Sequence, residues 1–281
     1  MAPIWRWAGR ALAALAVLAV LAVGMVYVAS ELTISRHYPL PPSSFHVVAD
    51  AGSVARGAHL VRVVGCTDCH GADLRGQYVD DFKMAPPNLT LLAKSFSDAD
   101  FDRAIRHGLK PDGTSLAEYM PSGAFQYLSD RELSDVVAYI RSRPVGGQAQ
   151  PAPSYSLAER FKFLTGENMT QVTVMGLQTP GLDLGPQYAV GRHLATIACG
   201  ECHTTTFNGY PGFSPNLVLV ASYGHDDFVK FMRTGKAAGN RELPLMSDTA
   251  RLRFSQFSPG EVDAIYSYLA ARGQKLNQEA N

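Results

Sequence analysis

The most apolar stretch of the chain lies close to its N-terminus. Residues 11–29 carry no charged side chain, and a helix of that length spans about 28 Å, roughly the thickness of the hydrocarbon core of a bilayer. A cleaved signal peptide is the alternative, because small residues suited to cleavage end the run, but signal peptides usually have apolar cores of about 7 to 15 residues. The pattern therefore favours a retained transmembrane helix over residues 1–32.

The charges on either side of this run predict its orientation. Arg6 and Arg10 precede it without any acidic residue, whereas Glu31 and Arg36 follow it. Basic residues are enriched on the cytoplasmic side of membrane helices. We therefore expect a single pass of a bacterial inner membrane, with the remainder of the chain in the periplasm.

Behind the anchor, two segments repeat the same features in the same order. The pattern Gly-x-His-Leu at 57–60 recurs at 191–194, each time shortly before a cysteine cluster. Farther along, an Asp-Phe pair introduces an amphipathic stretch that ends at glycine, which predicts middle helices near 97–107 and 225–234. Such self-similarity indicates two copies of one structural unit.

Each unit ends in a predicted helix that begins with a capping box. Ser129 precedes Glu132 by three residues, and Ser258 precedes Glu261 in the same way. The serine and glutamate side chains of each pair can satisfy free backbone amides reciprocally. Apolar residues then follow at intervals of three and four in both segments, as in a helix packed on a core.

These patterns predict a mainly α fold. Residues 47–145 and 185–275 are expected to form two helical domains in tandem, joined by a linker over residues 146–184. Glycine and proline are concentrated in the linker, in which residues 157–164 suit one or two helical turns without an evident role. Overall charge is balanced, with 25 Lys and Arg against 25 Asp and Glu, so nothing predicts a nucleic-acid partner.

The chemistry of the chain is concentrated in two motifs of one type. All four cysteines fall in Cys-x-x-Cys-His sequences, formed by Cys66, Cys69, His70, Cys199, Cys202 and His203. Thiols at this spacing can form thioethers with the vinyl groups of a haem while the histidine coordinates iron. A zinc ribbon usually separates its cysteine pairs by about 15 to 20 residues, against 129 here, and a thioredoxin-like pair is typical of a βαβ pattern, which this sequence lacks. The motifs therefore predict two covalently bound haem c groups.

With these motifs, the two units resemble class I c-type cytochrome domains, and the whole resembles the multi-haem cytochrome subunits of membrane-bound periplasmic dehydrogenases. The resemblance implies that a methionine in the loop before each closing helix is the second axial ligand of the iron. Met120 and Met246 occupy those places. Histidine–methionine ligation raises the reduction potential and leaves no position open for a substrate.

The resemblance has two structural implications besides the ligands. The carbonyl of a proline after each haem-binding turn accepts a hydrogen bond from the ligating histidine, which suggests Pro87 and Pro215. The first and last helices of each unit cross where a small residue meets the tyrosine of the closing helix. Ala58 and Gly191, each eight residues before a first cysteine, are the expected small residues.

Three further histidines are not expected to bind iron. His107 is replaced by Thr234 in the second unit, so we expect it to make a surface or loop hydrogen bond. His59 and His193 repeat on the first helices, where they are expected to pack those helices or to contact haem propionates.

Two haems whose irons have both axial positions filled, in a chain with a membrane anchor, predict electron transfer. The expected donor is a membrane dehydrogenase or a quinol-oxidising complex, and the expected acceptor is a terminal oxidase or a soluble cytochrome. A dihaem peroxidase is the alternative, but it needs haems that differ in ligation, and the matching methionines argue against it. Members of the resembled family often have three haems and a C-terminal anchor, so the particular dehydrogenase stays open.

Overall fold

The computed structural model describes residues 2–79 and 84–279, and most of these residues are helical. The strands among them are β1 (Lys236–Ala237) and β2 (Arg241–Glu242), which form one short antiparallel ladder with Lys236 opposite Glu242. The mainly α fold predicted from the sequence is confirmed.

The first helix, α1 (Ala2–Ile34), contains the long apolar run. From Trp5 to Ile34 it is long and apolar enough to cross a membrane, with a mean hydropathy of 2.6. Its side chains from Trp5 onward are mostly exposed, and Ser30 is the one fully buried residue among them. Apolar residues exposed on all sides of a helix suit an apolar surrounding.

A first group of helices follows α1: α2 (Ala51–Val63), α3 (Cys66–His70), α4 (Leu89–Ser95), α5 (Asp98–His107), α6 (Ser122–Phe125) and α7 (Asp130–Ser142). The first and last of the longer helices, α2 and α7, pack across each other. The predicted capping box is present, because Ser129 Oγ accepts from the Glu132 amide while the Glu132 carboxylate accepts from the Ser129 amide. The predicted middle helix is α5, which ends at Gly108 in a left-handed conformation, φ 65°.

A second group repeats this arrangement: α10 (Ala189–His203), α11 (His225–Thr234), α12 (Pro244–Leu252) and α13 (Pro259–Glu279), with short 3-10 helices at Pro186–Tyr188, Leu217–Ser222, Ala238–Asn240 and Phe254–Gln256. Here α10 packs across α13. The second capping box, between Ser258 and Glu261, is also present. Helix α12 differs most from the first group, in which turns precede the short helix α6.

The crossing of α10 and α13 is close enough to require glycine. A Cβ added to Gly191 would lie 2.0 Å from the Ala264 carbonyl oxygen and 2.9 Å from Tyr268 Cβ. Contacts this short exclude any side chain. The predicted pairing of Gly191 with the tyrosine of the closing helix is therefore confirmed.

In the first group the corresponding residue is Gly57, and the prediction of Ala58 was wrong by one position. A Cβ on Gly57 would lie 1.9 Å from the Asp135 carbonyl oxygen and 2.8 Å from Tyr139 Cβ. The offset has a local cause. Helix α2 ends before the cysteines and the chain turns through Gly65 at φ 82° before α3 begins, whereas α10 continues without a break into its cysteines.

The linker is more ordered than its composition indicated. It contains α8 (Leu157–Thr165), which was predicted, and α9 (Gln171–Leu177), which was not. Helix α8 packs against α1, and α9 packs against α6. The linker thus contacts both α1 and the first group of helices.

The two groups pack on each other with approximate twofold correspondence. Helix α2 of the first group contacts the 3-10 helix Phe254–Gln256 of the second, and α10 of the second contacts α6 of the first. Both contacted segments directly precede the closing helix of their group. One hydrophobic cluster runs through both groups, so the contact fixes their relative orientation.

Candidate haem-binding sites

The first Cys-x-x-Cys-His motif forms the short helix α3. Its histidine, His70, is 6% exposed, and its Nδ1 lies 2.8 Å from the carbonyl oxygen of Pro87. Because a carbonyl only accepts hydrogen bonds, Nδ1 carries the proton and Nε2 presents its lone pair. Burial lowers the pKa of His70, which favours the neutral imidazole that coordinates a metal.

The second motif lies in the last turns of α10 and has the same arrangement. His203 Nδ1 lies 2.9 Å from the carbonyl oxygen of Pro215, and burial lowers the pKa of this histidine too. His203 Nε2 is buried and has no hydrogen-bond partner. Buried polar atoms are nearly always paired, so this nitrogen fits the position of a metal ligand. The expected carbonyl partners, Pro87 and Pro215, are present at both motifs.

The four cysteine thiols form no disulfide with one another. Burial raises the pKa of Cys66 and Cys199 to about 12, and that of Cys69 and Cys202 to about 11. Thiol redox catalysis and zinc binding both need a thiolate, which a low pKa favours. Although the fold brings the two motifs together, residues 2–79 and 84–279 contain no cluster of three or more histidine, cysteine or acidic side chains suited to a metal ion. The Cys-x-x-Cys-His spacing at both turns fits thioether attachment to haem.

The two methionines expected as axial ligands lie in different local structures. Met120 lies in the turn before α6, whereas Met246 lies in the first turn of α12 and not in a loop as expected. Both are half-buried against the shared hydrophobic cluster. Ser247 donates to the Gly235 carbonyl at the end of α11, which ties the helix that carries Met246 to its neighbour. Ligation by either methionine stays a prediction, while Met232 on α11 is 3% exposed in the core.

The turn that contains Met120 is held by a residue of the linker, Gln171, which is 1% exposed. With its amide oriented so that each polar atom is paired, its nitrogen donates to the carbonyls of Glu118 and Met120, both at 2.9 Å. Its oxygen accepts from the amides of Ser122 at 3.1 Å and Gly123 at 2.8 Å. One side chain thus fixes the backbone on both sides of the methionine.

A second linker glutamine, Gln178, acts on the other motif. Its Oε1 accepts from the amide of Thr205 at 3.2 Å and from the hydroxyl of the same residue at 2.8 Å. Thr205 follows His203 by two residues. The segment that includes α9 therefore supports the methionine turn of the first group and the histidine turn of the second.

Arg253 connects the two motifs directly. Its Nε donates to Asp68 at 2.9 Å and its Nη1 donates to Glu201 at 3.0 Å, and each of these acids directly precedes the second cysteine of its motif. The guanidinium fills the space beside Gly65, where an added Cβ would lie 2.1 Å from Arg253 Cζ. Burial would lower the pKa of Arg253, but the attraction of Glu201 and Asp68 outweighs it and raises the pKa, so the side chain is charged.

Two histidine–glutamate pairs extend this contact with the same correspondence. His59 Nε2 lies 2.9 Å from Glu261, and His193 Nε2 lies 2.7 Å from Glu132, so each first-helix histidine meets the capping glutamate of the other group. Burial alone would raise the pKa of Glu261, but hydrogen bonds from His59 and from Ser258 lower it to about 2. The sequence analysis did not predict these pairs.

His107 lies apart from both motifs. It is the last residue of α5, and its Nε2 lies 4.0 Å from the Asp102 carboxylate. Its side chain is 42% exposed, which agrees with the expected surface position.

Residues 54–144 match the cytochrome c family. The matched segment includes most of α2 and all of α3 to α7, so the first group of helices is a cytochrome c domain, a kind of domain that binds haem c covalently.

Most of the chain is similar to cytochrome subunits of dehydrogenases. The cytochrome c subunit of alcohol dehydrogenase (quinone) from Gluconacetobacter polyoxogenes is 26% identical over 264 residues, which cover 79% of this chain and 56% of that subunit. The fructose dehydrogenase cytochrome subunit of Gluconobacter japonicus is 25% identical, covering 77% of this chain and 52% of its own length. A diheme cytochrome c-type protein of Cereibacter sphaeroides is 24% identical over 171 residues, covering 54% of this chain and 57% of its own.

The chain therefore spans little more than half the length of these curated relatives. Fold, motifs and relatives agree on one class, that of c-type cytochromes. Within that class, this chain is similar to subunits that accompany dehydrogenases, and the resemblance drawn from the sequence is confirmed.

Proposed function

We propose that the protein is a dihaem electron carrier anchored in a bacterial inner membrane by α1, with cytochrome c domains over residues 47–145 and 185–275 in the periplasm. The observation that carries this proposal is the pair of Cys-x-x-Cys-His turns joined by Arg253. In each turn the histidine Nδ1 is held by a proline carbonyl, which leaves Nε2 free to bind iron.

The ligands proposed for the first haem are Cys66, Cys69, His70 and Met120, and those for the second are Cys199, Cys202, His203 and Met246. Haem c bound at each turn would supply a one-electron iron couple. A thioether sulfur is a soft ligand, so both methionines would favour the reduced iron and fill its sixth position. The chain then has a redox role without a place for substrate at either iron.

The surrounding residues prepare both turns for this role. The carbonyls of Pro87 and Pro215 fix the ring orientation and tautomer of the two histidines. Burial of both rings keeps them neutral and restricts water. Arg253 neutralises the acids beside the cysteines and holds the two turns against each other.

The relatives favour a dehydrogenase as the electron donor. Two of them are named as cytochrome subunits of alcohol and fructose dehydrogenases, so we infer that this chain likewise accepts electrons from a membrane dehydrogenase or a quinol-oxidising complex. A terminal oxidase or a soluble cytochrome is the proposed acceptor. The chain itself is then a non-catalytic carrier, and the peroxidase alternative is not favoured.

Carbon monoxide tests this proposal because it binds ferrous haem that has an open axial position. The reduced protein should not bind it, whereas Met120→Ala and Met246→Ala should each bind one equivalent. Met232→Leu is the matched control, since that methionine lies in the core, and it should behave as the unchanged protein. Binding by the unchanged protein would contradict the carrier and support a peroxidase, and variants that bind no carbon monoxide would remove the methionines as ligands.

A further inference from the structure

The linker helix α8 exposes a narrow apolar stripe. Leu157, Phe161 and Leu164 are 41%, 53% and 41% exposed. Their spacing of four and three residues places them within an arc of about 60° on the helix surface. Phe163 lies on another side of the helix and packs edge-on against Tyr155, with 5.2 Å between the ring centroids.

Helix α8 is docked on the end of the anchor by Arg160. Its guanidinium donates to Ser30 Oγ at 3.0 Å and to Glu31 at 2.9 Å, and it lies over the ring of Tyr27 at 4.8 Å. The apolar run of α1 ends at Ala29, two residues before Glu31. Arg160 therefore holds α8 at the level where a bilayer-spanning α1 passes from hydrocarbon to headgroups.

The position of the apolar stripe around α8 follows from its spacing to Arg160. Arg160 adjoins Leu164 and Leu157 around the helix, so the stripe lies next to the α1 contact. Lys162 is exposed on roughly the opposite side, where it is directed away from the stripe. An apolar face beside a spanning helix, with a basic residue opposite, is the pattern of a helix in a membrane interface.

We propose that α8 lies in the surface of the lipid bilayer and buries Leu157, Phe161 and Leu164 at the boundary between headgroups and acyl chains. This inference rests on the proposed anchor. A single spanning helix leaves the attached domains free to pivot, whereas a second contact beside it restricts their orientation. The role of α8 is then to present the haem domains to a membrane partner in a fixed direction.

Spin labelling of the full chain in phospholipid vesicles tests the inference. The four native cysteines are consumed by thioethers under the proposed function, so a single introduced cysteine takes the label. Phe161→Cys reports the stripe, Lys162→Cys is the matched control on the opposite side of α8, and Leu18→Cys reports the middle of α1. Molecular oxygen concentrates in lipid and a nickel chelate stays in water, so the ratio of their collision rates with each label measures its immersion.

We expect labels at 161 and 18 to collide preferentially with oxygen and the label at 162 with the nickel chelate. Equal nickel accessibility at 161 and 162, with the label at 18 in lipid, would overturn the interfacial helix and leave the anchor intact. A label at 18 that is open to the nickel chelate would overturn the anchor, and the interfacial helix with it.

Discussion

Arg253 joins the two cysteine-containing turns, and its replacement by methionine removes the charge while keeping most of the apolar stem. The residue is 8% exposed, and its partners Asp68 and Glu201 keep 31% and 24% of their side chains exposed. In Arg253→Met both carboxylates lose their counter-ion. Each would then have to take up water or a proton, or remain as an uncompensated charge beside a proposed haem.

The expected cost follows from this exposure. Removing one partner of a fully buried ion pair costs about 3–5 kcal/mol, whereas exposed pairs contribute at most about 1 kcal/mol. The partly hydrated carboxylates place Arg253→Met between these limits, at about 2–3 kcal/mol of unfolding free energy. For a chain of this size, that corresponds to a thermal midpoint lowered by about 4–12 °C.

The same substitution should lower both reduction potentials, because uncompensated negative charge favours the more positive oxidised iron. Calorimetry and a potentiometric titration of one preparation measure the two effects together. Arg251→Met is the matched control, since Arg251 makes its ion pairs with Glu242 and Asp248 on the exposed side of α12, and it should change neither quantity measurably. An Arg253→Met protein with unchanged midpoint and potentials would refute the coupling of the two turns through this residue.

Three further changes test separate parts of the account. Gln171→Leu removes four hydrogen bonds to the backbone around Met120. The Ser122 amide and the Met120 carbonyl keep their bond to each other, but the Glu118 carbonyl and the Gly123 amide lose this partner, at about 1–3 kcal/mol for each group that stays dry. The first haem should then bind carbon monoxide partially, and a spectrum that stays insensitive to carbon monoxide would contradict the role of Gln171. Gly57→Ala places a Cβ 1.9 Å from a carbonyl oxygen of α7. The overpacking should cost at least about 1–3 kcal/mol of unfolding free energy and lower the thermal midpoint accordingly. Gly176→Ala is the control, because there is open space around Gly176, and equal midpoints of the two variants would refute the close crossing. The pKa of Glu261 is about 2 in the folded protein against an ordinary 4.5, so the stabilisation that this carboxylate contributes is complete above about pH 4.5 and is lost as the pH falls towards 2. Glu261→Gln should therefore make the thermal midpoint depend less on pH between these values. An unchanged pH dependence would show that acid destabilises the protein through other groups.

Features that depend on residues close together in the sequence were predicted correctly. The capping boxes at Ser129 and Ser258 are local hydrogen-bond patterns, and both helices begin there. The histidine–proline contacts are also reached within one loop. Ala58 was chosen by counting back from the cysteines, and the count failed because the turn at Gly65 adds one residue to the first unit.

Features that depend on how the two units pack were missed. Arg253 corresponds to Ala124 in the first unit, so the repeat gives no signal for it. Gln171 lies in a linker whose composition indicated little structure. A signal did exist for the histidine–glutamate pairs, because His59 and His193 recur at one place in the repeat and the capping glutamates at another. Repeated polar residues with no role inside one unit indicate a contact between units.

The central claim is that one chain carries two covalently attached haems that each exchange one electron. A potentiometric titration of the purified full chain, with the mass of the denatured polypeptide measured on the same sample, tests it most directly. The account predicts a mass increased by two haem groups and two one-electron transitions per chain. A mass increased by one haem or none, or a titration that accounts for a single electron, would contradict it.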